Sequence, residues 1–160
     1  MFKKFLPILI AASLLLGVIG ATSGVAFAAG TKVPPDATKS ATLDFGMQGF
    51  WSHNPNFKND VTVYRYNGAS LGKSGVKFVR PIMVLAPGKD KKGDKLSGPA
   101  YAFANLTAAE AKNIKNLAFY FRSNGTGLWS ALPTRLEKGP NDDRAVAEVK
   151  GYGWYVLGMK

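Results

Sequence analysis

The chain has no cysteine and a single histidine, His53, in 160 residues. Without Cys there is no disulfide framework, thiolate nucleophile, iron–sulfur cluster or cysteine-ligated zinc, and one imidazole cannot build a His-rich zinc site. Acidic residues are also scarce, with 10 Asp plus Glu against 21 Lys plus Arg and a formal charge of +11. Nothing in the spacing of so few carboxylates picks out the flanking pair a glycosidase needs. No Gly-x-Ser-x-Gly elbow accompanies His53, so Ser52 and Asp60 beside it lack the context of a hydrolytic array. Met47 with His53 offers only two ligands for a soft copper ion. These absences point away from an enzyme and indicate no metal or cofactor.

What is there begins with a leader. Lys3 and Lys4 precede an apolar run over residues 5–20, and Ala26-Phe27-Ala28 is the small-x-small pattern cut by a signal peptidase. We expect a signal peptide over 1–28, a mature chain starting near Ala29, and a location outside the cell or on the envelope of a bacterium. The uncharged stretch 5–31 is long enough for an uncleaved anchor, but Gly17, Gly20, Gly24 and the Ala-Phe-Ala site favour cleavage. Loss of Lys3 and Lys4 leaves 19 basic against 10 acidic residues. The exported chain is still strongly basic.

Residues 29–40, with Pro34-Pro35 and small polar residues, read as a flexible tether. From 41 to 160 short apolar or alternating runs are separated by Gly, Asn, Asp and Pro clusters, the pattern of an all-β domain. Strands are expected over 41–51, 61–66, 76–86 with an edge, bulge or break at Pro81, 101–103, 117–122, 128–134, 145–149 and 154–157. Residues 128–134 are read as the hairpin partner of 117–122. Thr107-Ala108-Ala109-Glu110 is a capping box, predicting one short helix over about 108–113. Seven or eight short strands imply two packed antiparallel sheets.

The succession Asn116-Leu117-Ala118-Phe119-Tyr120-Phe121, Gly127-Leu128-Trp129-Ser130-Ala131-Leu132-Pro133-Thr134, residues 145–149 and Gly153-Trp154-Tyr155-Val156-Leu157 resembles the closing strands of immunoglobulin-like β-sandwich modules in bacterial exported and surface proteins. The resemblance covers residues 114–158. It implies an immunoglobulin-like sandwich acting as a spacer, adhesive unit or binding domain.

Two candidate binding features remain. Lys73, Lys77, Arg80, Lys89, Lys91, Lys92 and Lys95 lie close in sequence, and if the strand through Pro81 and its loops share a side they form an electropositive patch for acidic polymers. An anionic envelope polymer or polysaccharide, a phospholipid headgroup met as a peripheral membrane contact, or a protein partner would suit it, whereas nucleic acid is a weaker fit for an exported protein. The same lysines could instead solubilise the fold and guard a sheet edge. Three Trp and six Tyr could serve either core packing or sugar stacking. Trp51, read as lying in a loop beside His53 and Pro55, is the best exposed candidate for a carbohydrate-binding module. The expectation is a secreted, non-catalytic binding or accessory domain using the basic patch. The alternatives are a carbohydrate-binding module, a structural spacer or assembly subunit, and a hydrolase with an unrecognised site.

Overall fold

A computed structural model describes residues 31–67, 75–89, 91, 95–123, 127–139 and 141–160. The expected leader lies outside these residues, as do Lys73 and Lys92. Eleven strands and three short helical turns follow in the order β1 (Thr38–Lys39), β2 (Gln48–Ser52), α1 (Phe57–Asp60), β3 (Val61–Tyr66), β4 (Lys77–Phe78), β5 (Ile82–Pro87), β6 (Ala100–Asn105), α2 (Ala108–Lys112), a 3₁₀ turn (Ile114–Asn116), β7 (Leu117–Arg122), β8 (Ser130–Ala131), β9 (Thr134–Lys138), β10 (Asp143–Glu148) and β11 (Gly153–Met159). They form two antiparallel sheets, a seven-stranded one ordered β1-β3-β5-β11-β7-β8 with β4 also on β11, and a four-stranded one ordered β2-β6-β10-β9. The protein is an all-β sandwich.

The core between the sheets pairs small residues with large ones. The inner face of the four-stranded sheet carries Ala100, Ala102, Ala104, Ala145 and Ala147, with Phe50 as its one aromatic residue. Opposite lie Val63, Met83, Leu85, Phe119, Phe121, Tyr155 and Leu157. Methyl side chains let one sheet approach while long side chains from the other fill the gap, which is how interdigitating layers reach crystal-like density. Tyr155 packs edge-on against Phe50 at 5.3 Å between ring centroids and tilted against Phe121 at 5.0 Å. Its hydroxyl donates to Gly151 O (2.6 Å) and accepts from the Lys150 and Gly151 N–H groups (3.1 Å each), so the buried phenol oxygen is satisfied by the bend before β11.

The outer face of the seven-stranded sheet holds a second apolar cluster of Ile82, Val84, Trp154 and Val156, with Tyr64, Tyr66, Phe78, Tyr120 and Trp129 packed around it. Both C-terminal tryptophans therefore pack on the sheet, and the Arg122 guanidinium lies 5.1 Å from the Trp129 ring and 5.0 Å from that of Trp154. Burial lowers the Arg122 pKa from its ordinary value.

Several local expectations change. Of residues 41–51 only the end is strand: Gly46, at φ 82°, turns the chain after Asp44, whose carboxylate accepts from the Gly46 N–H, and Phe50 N–H then donates back to Leu43 O. The run 128–134 does not form one hairpin partner. Ser130–Ala131 pairs with β7, and Leu132 N–H makes a further bond to Phe119 O (2.7 Å). Pro133 then interrupts the ladder, and Thr134 starts β9 in the other sheet, its hydroxyl accepting from Phe119 N–H and donating to Leu132 O at that corner. Pro81 separates β4 from β5. Asn56 precedes the one-turn helix α1, which buries Phe57. The segment read as a tether enters the sandwich by Thr38, since β1 pairs with β3 and Trp154 Nε1 donates to Lys32 O. The capping box forms as the sequence predicts, with Thr107 and Glu110 bonded reciprocally.

Candidate binding surfaces

Strand β5 decides the fate of the basic cluster. Lys77 and Arg80 precede its Ile82 end, while Lys89, Lys91 and Lys95 follow its Pro87 end, and six extended residues span about 20 Å. The described cations therefore fall at the two ends of β5 rather than in one contiguous cluster. A strand crossing a sheet sends its two flanking loops to opposite ends.

Two of these cations are also engaged internally. Arg80 makes a forked pair with Glu110 (Nη1–Oε1 2.8 Å, Nη2–Oε2 2.7 Å) and donates to Asn105 O, tying the β4–β5 junction to the capping box of α2. The bond from Arg80 holds the Glu110 carboxyl below the usual range, with the Thr107 N–H adding to the effect against the cost of burial. At the far end Lys91 Nζ bonds Ser97 Oγ (2.6 Å) and approaches Asp60 Oδ2 (3.4 Å), and Ser97 donates to the same carboxylate. Chiefly through Ser97, and also through Lys91, the Asp60 carboxyl titrates below its ordinary value. Asp60 O meanwhile accepts from Gly88 N–H and from the Tyr152 hydroxyl, so this corner ties Gly88, Lys91, Ser97 and Tyr152 to the end of α1. Lys77, Lys89 and Lys95 are exposed.

The elements of a His-Ser-Asp array are dispersed by the same bonds. Ser52 Oγ donates to Pro99 O, and Asp60 is held by Ser97 and Lys91. Met47 and His53 flank the two ends of β2, about 20 Å apart along an extended strand. They are too distant to share a metal ion.

Trp51 lies within β2 rather than in a loop, and it is half-buried. Cross-strand register places it opposite Tyr101 on β6, and the two rings stack at 4.5 Å with 26° between their planes. His53 closes on the Trp51 ring edge-to-face at 5.0 Å. From β9, on the other side of β6 in the sheet order, Arg135 lays its guanidinium 5.4 Å from the Tyr101 ring. Arg144 covers Phe103 in the same way at 4.8 Å, with its Nε donating to Asn105 Oδ1. The alternation along β6 sets these groups on the outer face, opposite Ala100, Ala102 and Ala104. The result is a cluster of His53, Trp51 and Tyr101 on the outer face of β2 and β6, which Arg135 reaches from β9 across β10, where Glu148 stands opposite Tyr101, with Arg144 and Phe103 beside it.

Of this group His53 and Arg135 are exposed, Trp51, Tyr101 and Arg144 are half-buried, and Phe103 is buried. The cluster can take the C–H surface of a sugar against aromatic carbon while the guanidinium groups bond acidic or hydroxyl oxygens. Sequence reasoning picked out Trp51 but missed Tyr101, Arg135 and Arg144, because which residues stand opposite one another depends on strand register. The one local signal was the outward position of Tyr101 and Phe103 between alanines. Neither a family model, nor a curated protein, nor a solved structure matches the chain.

Proposed function

We propose that this protein is an exported, non-catalytic binding module for an acidic carbohydrate polymer of the cell envelope, with the outer face of the four-stranded sheet as its contact surface. The observation that carries this reading is the Trp51–Tyr101 stack flanked by Arg135 and Arg144 on a sheet face turned away from the core. Trp51 and Tyr101 supply apolar surface for pyranose rings. Arg144, and Arg135 with the donors left beyond its Nε and Nη2 contacts to Glu137, supply bonds for carboxylate or phosphate groups. The excess of cations in the exported chain, 19 basic against 10 acidic residues once Lys3 and Lys4 leave with the leader, favours encounter with a polyanion in a salt-dependent way. The resemblance of residues 114–158 to immunoglobulin-like surface modules fits a binding or spacer role, and the leader fits export.

A second reading keeps the contact electrostatic and places it on Lys89 and Lys95, exposed beside the Asp60 corner. The two readings separate on a column of immobilised polyuronate. Under the first, retention weakens with salt and is lost in Trp51→Ala, while Lys89→Glu with Lys95→Glu retains most of it. Retention unchanged by Trp51→Ala, or none on any polyuronate or polyphosphate matrix at low salt, would overturn it.

A further inference from the structure

We infer that the protein pairs with a second copy of itself through the free edge of β9, joining two four-stranded sheets into one of eight strands. β9 ends its sheet, and among the described residues nothing pairs with its outward side. The hydrogen-bond phase of the edge follows from its neighbours. Gly139 N–H donates to Asp142 O (2.8 Å), so the pairs inward toward β10 fall on alternate residues, Gly139, Glu137 and Arg135. On the other side of β10, Asp143 O and Val149 N–H bond Leu106 and Ala100, in agreement with that alternation. The backbone groups of Thr134, Leu136 and Lys138 therefore face outward.

An antiparallel copy centred on Leu136 meets this edge in phase. Leu136 exchanges both backbone bonds with its counterpart, and Thr134 does the same with Lys138 of the second copy. Arg135 then stands opposite Glu137 of the second copy in a non-hydrogen-bonded pair, the kind that brings side chains closest, with Cα atoms about 4.5 Å apart. The two-fold repeats the pair, so two cross-strand ion pairs form around the existing Arg135–Glu137 contact of each copy (2.5 Å). Leu136, 40% exposed in the single chain, meets Leu136 of the second copy. A strand guarded only against association would carry like charges at these two positions. This one is complementary to itself.

The strip is short, so the dimer belongs to the weak, concentration-dependent class. The two-fold stands perpendicular to the sheet and leaves both outer faces on one side. If the proposed ligand surface is right, two Trp51–Tyr101 stacks then face one polymer and binding gains avidity.

Sedimentation velocity on the chain as its host processes it, run up to about 1 mM, tests the pairing, with far-UV circular dichroism confirming the fold of each variant. A reversible monomer–dimer equilibrium is expected. Leu136→Pro removes only an outward N–H and should yield a folded monomer. R135E should raise the dissociation constant roughly tenfold by turning two attractive pairs repulsive, and R135E/E137R should restore it. A monomer at every concentration, a dimer that survives Leu136→Pro, or a swap that fails to recover what R135E loses would overturn the inference. Each of these outcomes is independent of polymer binding, which Trp51→Ala reports separately.

Discussion

Replacing Tyr155 by Phe removes one oxygen from the centre of the sandwich and leaves the rings in place. That oxygen donates to Gly151 O and accepts from two N–H groups of the bend before β11. With the ring wholly buried, water cannot enter to replace it without opening the core. At about 1 kcal/mol per hydrogen bond, and more for a buried partner left unpaired, the loss should be about 2–4 kcal/mol. Urea unfolding followed by tryptophan fluorescence measures it as a lowered midpoint at unchanged slope. Tyr120→Phe is the control, because its hydroxyl makes one exposed bond to Met159 O (3.2 Å) and its loss should cost under about 0.5 kcal/mol. A second readout comes from alkali. Burial pushes the Tyr155 phenol far above its ordinary value of 10.0, so above pH 10 the unfolded state loses this proton while the native state keeps it. Native stability attributable to this group is then complete below pH 10 and falls by about 1.4 kcal/mol per further unit, a slope that Tyr155→Phe should remove. A Phe variant within about 0.5 kcal/mol of the parent, or one with the same alkaline slope, would refute the buried hydroxyl network.

Other consequences follow from the loop clamps. Asp60 and Glu110 titrate below their unfolded values of 3.8 and 4.5, so the stability they contribute is present above those values and is lost as pH falls through the native ones. Asp60→Asn and Glu110→Gln should each flatten the acid limb of a stability–pH profile, and a limb unchanged in both would contradict the two ion pairs. Arg80→Ala should cost about 1–3 kcal/mol in denaturant unfolding by leaving Glu110 without its forked partner. Gly88→Ala would place a methyl 2.6 Å from Asn59 O, and should lower the urea midpoint by the equivalent of about 1–3 kcal/mol. An unshifted midpoint would mean that the Asp60 corner gives way without cost.

The layered β architecture was legible because alternation along strands such as 61–66 and 117–122 reports burial on one face directly. The capping box at Thr107 and Glu110 was legible for a similar reason, since all of its partners lie within one turn. Residues 128–134 were misread because an apolar run does not reveal when a chain leaves one sheet for another, and only Pro133 hinted at the break. The basic cluster is a different case. Its residues are close in sequence but lie apart in space, because a strand between two loops carries them to opposite ends. Of the proposed ligand surface only Trp51 was singled out in the sequence, because the register that sets it against Tyr101, and brings Arg135 and Arg144 alongside, arises from pairings between strands far apart in the chain.

The proposed ligand has one predicted position, the outer face of the four-stranded sheet. Backbone amide chemical shifts recorded while a soluble polyuronate oligosaccharide is titrated in locate it residue by residue. The largest shifts should cluster at Trp51, His53, Tyr101, Arg135 and Arg144, and the indole N–H of Trp51 should move with them. Shifts centred on Lys89 and Lys95, or on Tyr64, Tyr120 and Trp154 across the other sheet, would contradict it.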